Sequence, residues 1–351
     1  MRITLLVYVE HEGDKDFDKS IFQISSALSS AGHQTSIFGV HSDVPKLVAG
    51  LRRRKPELVF NLMEQFGEGM LGLVEATALL DLLEIPYTGS GAGELFLQED
   101  KALTKKLLAY EKVNCPDFAV FSPHAELETG GNLRMPLFVK PLRMDASFGI
   151  DASHSLVSTT ADLMKQVTSI HQQFNDSALC EQYIEGREFY VGILGNNQPQ
   201  AFPPIEMDFS KMPEGAPHVM DSKAKFEEGS AEYKGTTAVV AELDNELRAR
   251  LQEVALTSYR ALRLRDYGRI DLRLTESGDI YVIEANANCY LEKESEYAMA
   301  AAAAGIEYDE LISKIADLAV ERHRMANPTA KQPLKSSREK ERSRKQKSAT
   351  A

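Results

Sequence analysis

The chain opens on an unbroken apolar run at residues 3–9 and then changes period. Residues 21–28 carry apolar side chains at helical spacing, and Gly32 stands where a helix stop is expected. Residues 35–40 read as a second strand, 47–54 as a helix closed by Pro56, 58–62 as a third strand and 71–83 as another helix. Strand runs alternating with helical ones predict an α/β fold, with a parallel sheet and helices on its faces. A middle segment begins with a helix around 100–110 and continues as strands at 119–121, 137–140 and 178–182, with turn-rich stretches at 130–132 and 145–149. A third segment has strands at 189–194, 267–274 and 280–285, helices at 245–262 and 295–304, and a last helix over about 308–325. No internal repeat of fixed period is present. The expected organisation is an N-terminal α/β unit (1–98), a central unit (99–187), a C-terminal unit (188–325) and a basic tail (326–351) too poor in apolar residues to order itself.

Composition sharpens this picture. A chain of 351 residues that is 43% hydrophobic and 26% charged is globular and long enough for a large core. Its net charge of −12 averages two unlike parts. From Asn327 onward there are eight Lys/Arg and two Asp/Glu, a net of +6, which leaves −18 on the body. An acidic body argues against a broad nucleic-acid-binding face. The tail is either a solvated segment or a non-specific phosphate contact. Cys115, Cys180 and Cys289 are scattered, with no C-x-x-C, so neither a disulfide framework nor a cysteine zinc site is expected, and a reducing, cytoplasmic setting is. No apolar stretch is long enough to span a membrane, and the opening strand is too short for a signal peptide.

Two motifs fail on inspection. Asp14-Lys15-Asp16-Phe17-Asp18 alternates carboxylates as a calcium loop does, but Lys19 and Ser25 stand where that loop needs Gly and Glu. Gly89-Ser90-Gly91-Ala92-Gly93 has Glu94 where a dinucleotide fingerprint needs its third glycine, and it follows a helix rather than the first strand. Eight histidines lie singly, which disfavours a histidine metal site, and no G-x-S-x-G is present.

A better constellation lies at 267–286. Two apolar strand runs flank Thr275-Glu276-Ser277-Gly278-Asp279, which reads as a hairpin turn. Strand alternation puts Arg269 and Asp271 on one face, and Glu284 and Asn286 likewise. If the strands pair, three oxygen-donor side chains converge beside an arginine, a set suited to Mg²⁺ and a phosphorylated substrate. An exposed hairpin with an ordinary salt bridge explains these residues equally well. Other segments shift the balance. Phe138-Val139-Lys140-Pro141 ends an apolar run on a lysine, ahead of a Ser/Gly stretch that includes Ser147 and suits a phosphate. Glu181 and Glu188 lie seven residues apart across a glycine turn, placed to accept from an adenine amino group and from ribose hydroxyls.

Together these segments, with Val59-Phe60-Asn61-Leu62, Ile85-Pro86-Tyr87-Thr88-Gly89-Ser90-Gly91 and Asp100-Lys101-Ala102-Leu103-Thr104-Lys105, resemble in order the ATP-grasp superfamily, and most closely the D-alanine–D-alanine ligase family. The resemblance covers about residues 56–300. It implies an ATP-grasp fold behind an N-terminal parallel α/β domain, and a carboxylate–amine ligase that works through an acylphosphate. It further implies that Lys101 and Lys140 reach the ATP phosphates, that Glu181, Ile184 and Glu188 hold adenine and ribose, and that Lys225 belongs to a lid over 209–237. By the same resemblance Asp271, Glu284 and Asn286 carry two Mg²⁺ ions, with Mn²⁺ an acceptable replacement, and Arg269 stands beside the transferred phosphoryl group. A small amino acid or peptide is the implied substrate, and a homodimer is the assembly the family commonly forms. The phosphate-binding cleft is expected to make a local positive field from Lys101, Lys140, Lys225, Arg269 and Mg²⁺.

The substrate side departs from the family pattern. Tyr8-Val9-Glu10-His11-Glu12-Gly13-Asp14 lacks the Gly-Gly-x-Ser-x-Glu element, Glu64-Gln65 replaces a His-Gly, and Ala146 and Phe226 replace the Ser and Tyr that clasp the lid. Ala287-Asn288-Cys289-Tyr290-Leu291-Glu292 replaces a Pro-Gly turn and Ser-Leu. The ATP half matches while the amino-acid half is rewritten, so a substrate other than D-alanine is expected, with Glu10, Glu12, Glu64, Phe226, Asn288 and Glu292 as candidate contacts. The alternatives are a true D-alanine–D-alanine or D-alanine–hydroxy acid ligase, and an ATP-binding regulatory protein that does not ligate.

Overall fold

The computed structural model describes residues 1–125, 127–144, 152–213, 217–220, 224–225, 227 and 229–327, without the side chains of 152 and 153. Ser147 and Phe226, the Ala146 substitution and the tail from 328 lie outside the described residues.

Strand β1 (Arg2–Tyr8) is buried along nearly its whole length because it is the centre of a parallel three-stranded sheet. It lies between β2 (Gln34–Val40) and β3 (Leu58–Leu62). A strand covered on both faces has no polar side to show, which explains its continuous apolar run. Helices α1 (Lys19–Ser30), α2 (Val44–Arg54) and α3 (Gly72–Leu82) follow the strands as the alternation predicts. Asp43 caps α2 by accepting from the Lys46 amide at 2.8 Å, and Arg52, Arg53 and Arg54 occupy its negative end. Helices α4 (Ala92–Glu99) and α5 (Lys101–Tyr110) lead out of this unit.

The central segment builds a five-stranded antiparallel sheet from β4 (Phe118–Phe121), β5 (Glu128–Gly130), β6 (Leu137–Pro141), β7 (Leu156–Val157) and β8 (Ala178–Gln182), in the order β5-β4-β8-β6-β7. The helix Thr160–Phe174 packs on it through Leu163, Val167 and Ile170. The third sheet comprises β9 (Arg187–Leu194), β10 (Gln200–Ala201), β11 (Ile205–Asp208), β12 (Thr237–Val240), β13 (Tyr267–Leu274) and β14 (Ile280–Asn286). Its main order is β12-β11-β9-β13-β14, with β10 on β9. Sequence periodicity misses α4, the helix Thr160–Phe174, and the short strands β11 and β12.

The first and third sheets share their cores. One apolar cluster runs from Leu6, Leu47 and Val59 to Leu251, Ile270 and Val282, and a second joins Ile3, Ile24 and Phe60 to Tyr267, Tyr297 and Ile312. The five-stranded sheet has smaller clusters of its own.

A buried charge ties distant segments together at the same junction. Asp266 is fully buried and has φ +63°. It accepts from the Gly89 amide at 2.8 Å, from Asn196 Nδ2 at 3.0 Å, and from Arg322 Nε and Nη2 at 3.1 and 2.8 Å. Arg322 also donates to the Tyr87 carbonyl at 2.8 Å. Gly89 sits at φ +83°, and a Cβ there would lie 2.3 Å from Asn288 Oδ1, so glycine is required twice over. Breaking such a pair strands the partner charge: Asp266→Ala is expected to cost about 3–5 kcal/mol in urea unfolding. Arg322→Lys, which keeps the charge and loses the fork, is expected to fall between that variant and the parent.

Candidate active site

The hairpin forms in the register that alternation requires. Arg269 pairs with Asn286 and Asp271 with Glu284 across β13 and β14. The ladder then slips between Asp271 and Leu272, which leaves Ile283 as an extra residue. The bulge aims the Ile283 carbonyl at Lys105 Nζ, 3.5 Å away. Arg269 grips Asp271 with two parallel bonds, Nε to Oδ1 at 2.7 Å and Nη2 to Oδ2 at 2.9 Å. Asn286 Nδ2 donates to Asp271 Oδ2 at 3.1 Å, which leaves the amide oxygen as an acceptor.

Opposite this hairpin, α5 and the five-stranded sheet supply the lysines. Asp100 caps α5, so Lys101 begins the helix at its positive end, where a lysine is electrostatically disfavoured. Its Nζ donates to the Met144 carbonyl at 2.8 Å and lies 3.8 Å from Glu284 Oε1. One helical turn on, Lys105 Nζ lies 2.9 Å from Glu181 Oε2, while Lys140 Nζ from β6 lies 2.7 Å from Glu181 Oε1. All three members of this last group are buried.

The two sheets enclose a cleft of about 760 Å³, open to solvent. Lys101, Lys140, Glu181, Ile184, Glu188, Lys225, Asp271 and Glu284 line it, so most of the candidate ATP and metal residues face one space. Arg269 and Asn286 stand beside it, held by Asp271. Of the described residues of the candidate lid, Val219, Met220 and Lys225 border the cleft. Among the described lining residues four are basic and four acidic. The cations that these side chains bring are matched by carboxylates in the cleft wall itself.

Local charge sets the protonation states. Burial alone would raise the Glu181 carboxyl, but Lys105 and Lys140 outweigh it and hold it below its ordinary value. Glu284 is likewise opposed by burial, yet Lys101, Lys140, Lys225 and Arg269 bring it down to about 2. For Asp271 burial prevails over the pull of Arg269 and pushes the carboxyl up, with the charge of Glu284 adding to the effect. Two adjacent carboxylates and an amide oxygen, all hard donors, fit a divalent cation such as Mg²⁺, which would relieve that repulsion.

Three residues at the cleft were missed by sequence reasoning. Lys105 is four residues from Lys101, Arg273 two from Asp271, and Tyr190 two from Glu188, so each repeats the face of a residue already singled out. Arg273 Nη2 lies 2.5 Å from Glu188 Oε2, Arg273 Nη1 donates to the Gly186 carbonyl at 3.0 Å, and Nη2 also bonds the His218 carbonyl.

The substrate-side candidates lie elsewhere. Asn288 Oδ1 accepts from the Ser90 amide at 2.9 Å. Glu292 is buried and already engaged, with Lys19 Nζ at 3.0 Å and Gln23 Nε2 at 3.2 Å, which removes it as a ready contact for an amine. Tyr290 donates to Asp18 Oδ1 at 2.8 Å, so the 288–294 loop is latched to the start of α1. Glu12 is paired with Lys46. Glu64 is reached by solvent yet crowded, and burial together with the charge of Asp18 raises its carboxyl.

A parallel α/β unit, followed by two antiparallel sheets that close on paired lysines and a carboxylate hairpin, defines the ATP-grasp class. Residues 106–317 match the family model described as D-ala D-ala ligase C-terminus. The chain is 32% identical over 307 residues to the Sinorhizobium fredii protein named "Uncharacterized protein y4sG", a match that covers 86% of this chain and 87% of that protein. It is 30% identical over 297 residues to the D-alanine–D-alanine ligase of Aquifex aeolicus, covering 83% and 91%. Its fold is similar to the D-alanine–D-alanine ligase of Bacillus anthracis complexed with ATP, with a TM-score of 0.70 at 20% identity over 93% of this chain and 99% of that one. The chain belongs to the D-alanine–D-alanine ligase family and is an ATP-dependent ligase of the ATP-grasp fold.

The state of Glu181 has a measurable consequence. A carboxyl held below its ordinary value of 4.5 stabilises the fold above that pH and ceases to do so as the pH falls through its lowered value. Melting temperature is expected to drop as the pH falls below about 4.5, and Glu181→Gln is expected to flatten that dependence while lowering stability at neutral pH.

Proposed function

We propose that this ligase joins a small amino acid or peptide to an amine-bearing acceptor through an acylphosphate, and that its substrate differs from D-alanine. The observation that carries the ligase chemistry is the convergence of Lys101, Lys140 and Glu181 from one sheet and helix with Asp271 and Glu284 from the other sheet, around one cleft. In this reading the chain works as three lobes, 1–98, 99–187 and 188–325, with ATP between the second and third. Lys101 and Lys140 contact the phosphates, the backbone around Ile184 meets the adenine edge, and Glu188 accepts from the ribose hydroxyls. With both of its oxygens facing lysines, Glu181 serves chiefly to position Lys140, and Lys105 balances its charge.

Asp271, Glu284 and the Asn286 amide oxygen would hold the divalent cations, two Mg²⁺ ions by family precedent. Bound there, they supply charge neutralisation to the phosphoryl oxygens. A substrate carboxylate oxygen attacks the terminal phosphorus, the bond to the bridging oxygen breaks, and ADP leaves. Arg269, locked by Asp271, faces the charge that develops during the transfer. The amine nitrogen then attacks the acyl carbon, the carbon–oxygen bond to phosphate breaks, and the proton lost from the nitrogen passes to the departing phosphate. Lys225 and the 217–220 segment help to exclude water, which would otherwise hydrolyse the acylphosphate.

Support for an altered substrate comes from the rewritten positions that face the first lobe. Glu64 has no hydrogen bond or ion pair among the described residues, in contrast to Glu12 and Glu292, and it offers an acceptor for an ammonium group. Phosphate release from ATP and Mg²⁺ should be measured against a panel of D- and L-amino acids, hydroxy acids and short peptides, with mass spectrometry of the product. Release stimulated by a pair other than D-alanine, and abolished in Lys140→Ala, is the expected result. Release with D-alanine alone would restore the D-alanine ligase reading, and no stimulated release with any pair would favour the non-ligase one. With the substrate known, Glu64→Ala is expected to raise its Michaelis constant about tenfold, the loss of one charged hydrogen bond, and to leave that of ATP unchanged. An unchanged substrate constant would remove Glu64 from the site.

A further inference from the structure

Across the β9–β13 pair, antiparallel register sets Glu188 opposite Arg273, Tyr190 opposite Asp271 and Gly192 opposite Arg269. Tyr190 therefore stands directly between the residue read as the ribose acceptor and the pair read as serving phosphoryl transfer. Its hydroxyl donates to Glu188 Oε1 at 2.9 Å. Its ring lies under the Arg269 guanidinium, 4.3 Å from ring centroid to Cζ. The side chain is buried at 4% exposure and borders the cleft. Diagonal neighbours on adjacent strands are within reach of an aromatic and a long side chain, which is the geometry that brings Arg269 over Tyr190.

Each contact constrains a group that has an alternative. Glu188 Oε2 is fixed by Arg273, and without a donor on Oε1 the carboxylate loses one of its two anchors. A carboxylate has lone pairs enough to accept from Tyr190, Arg273 and two ribose hydroxyls together, so the tyrosine bond orients Glu188 without using it up. Arg269 is bound on one edge by Asp271 and approached by Glu296 Oε2 at 3.7 Å. The Tyr190 ring supplies a flat face that keeps the guanidinium in the plane of Asp271. A chain of contacts thus runs from Arg273 through Glu188, Tyr190 and Arg269 to Asp271.

We infer that Tyr190 is a positioning residue that holds the ribose-binding carboxylate with its hydroxyl and the transfer-site arginine with its ring. The inference rests on the ATP-site reading given above. It separates two functions on two parts of one side chain, and the test exploits that separation. Tyr190→Phe keeps the ring and is expected to weaken ATP binding about tenfold, in calorimetric titration with Mg·ATP and in KM, while kcat moves less than about twofold. Tyr190→Leu removes the ring as well and is expected to lower kcat by a further factor of about ten. In a Glu188→Gln background, Tyr190→Phe is expected to add less than in the parent, because both changes act on one contact. Equal effects of the two Tyr190 variants on kcat and KM would show a merely structural side chain and overturn the inference. So would unchanged ATP binding in Tyr190→Phe, a substitution that retains the buried volume. Failure of the unmodified protein to bind Mg·ATP would instead overturn the reading of the cleft itself, and Tyr190's role with it.

Discussion

Two lysines close on one buried carboxylate at the centre of this molecule, and much of the site follows from that. Glu181 is a poor residue to bury, because a desolvated charge is expensive unless it is matched. Lys105 and Lys140 match it, and in doing so they fix α5 against β6 and β8. Lys101 is placed one turn earlier on the same helix, and its own end is drawn toward Glu284 in the other sheet. Cations and carboxylates of the cleft are thus already paired with one another. Its described walls carry as many acidic as basic side chains. A polyphosphate entering such a space meets no surplus of positive charge from these side chains, and divalent cations, for which the Asp271–Glu284 pair offers hard donors, would supply it.

How much of this could be read in the sequence depended on whether a feature was local. The hairpin at 267–286 was legible almost residue by residue, because alternation and a turn rich in small polar residues are local signals. β13 spans Tyr267–Leu274, as the run predicts. β11 was not legible: its four residues, Ile205–Asp208, form a strand only because β9 and β12 lie on either side. The helix Thr160–Phe174 did carry a signal, with Thr159 as cap and Leu163, Val167 and Ile170 at helical spacing, but a polar surface diluted it. The same division holds in the site. Lys101 and Lys140 stood out by motif. Lys105 and Arg273 carry no local mark, and only burial and pairing single them out. Glu292 shows the same limit, since nothing local announces that Lys19 and Gln23 reach it across some 270 positions.

The shared cores give the lobes unequal mechanical roles. Sheets one and three are packed into common apolar clusters and pinned by Asp266 and Arg322, so they act as one block. The five-stranded sheet keeps its own small clusters and faces that block across the open cleft. Interfaces of that kind adjust more readily than packed cores. A nucleotide bound in the cleft would therefore sit where relative movement is easiest, whereas Asn288 and Glu292 sit on the rigid block.

The latch between α1 and the 288–294 loop bears on how such enzymes diverge. Lys19, Gln23 and Asp18 at the beginning of the chain hold Glu292, the Lys293 amide and Tyr290 near its end. The loop overlaps the 287–292 stretch that departs from the family pattern, and its contacts tie that stretch to the start of α1. A recombination event that exchanged one without the other would deliver a buried glutamate with no lysine, or a tyrosine with no acceptor. Although separated by most of the chain, they form a single structural unit, so a change of side chain in one bears directly on the other.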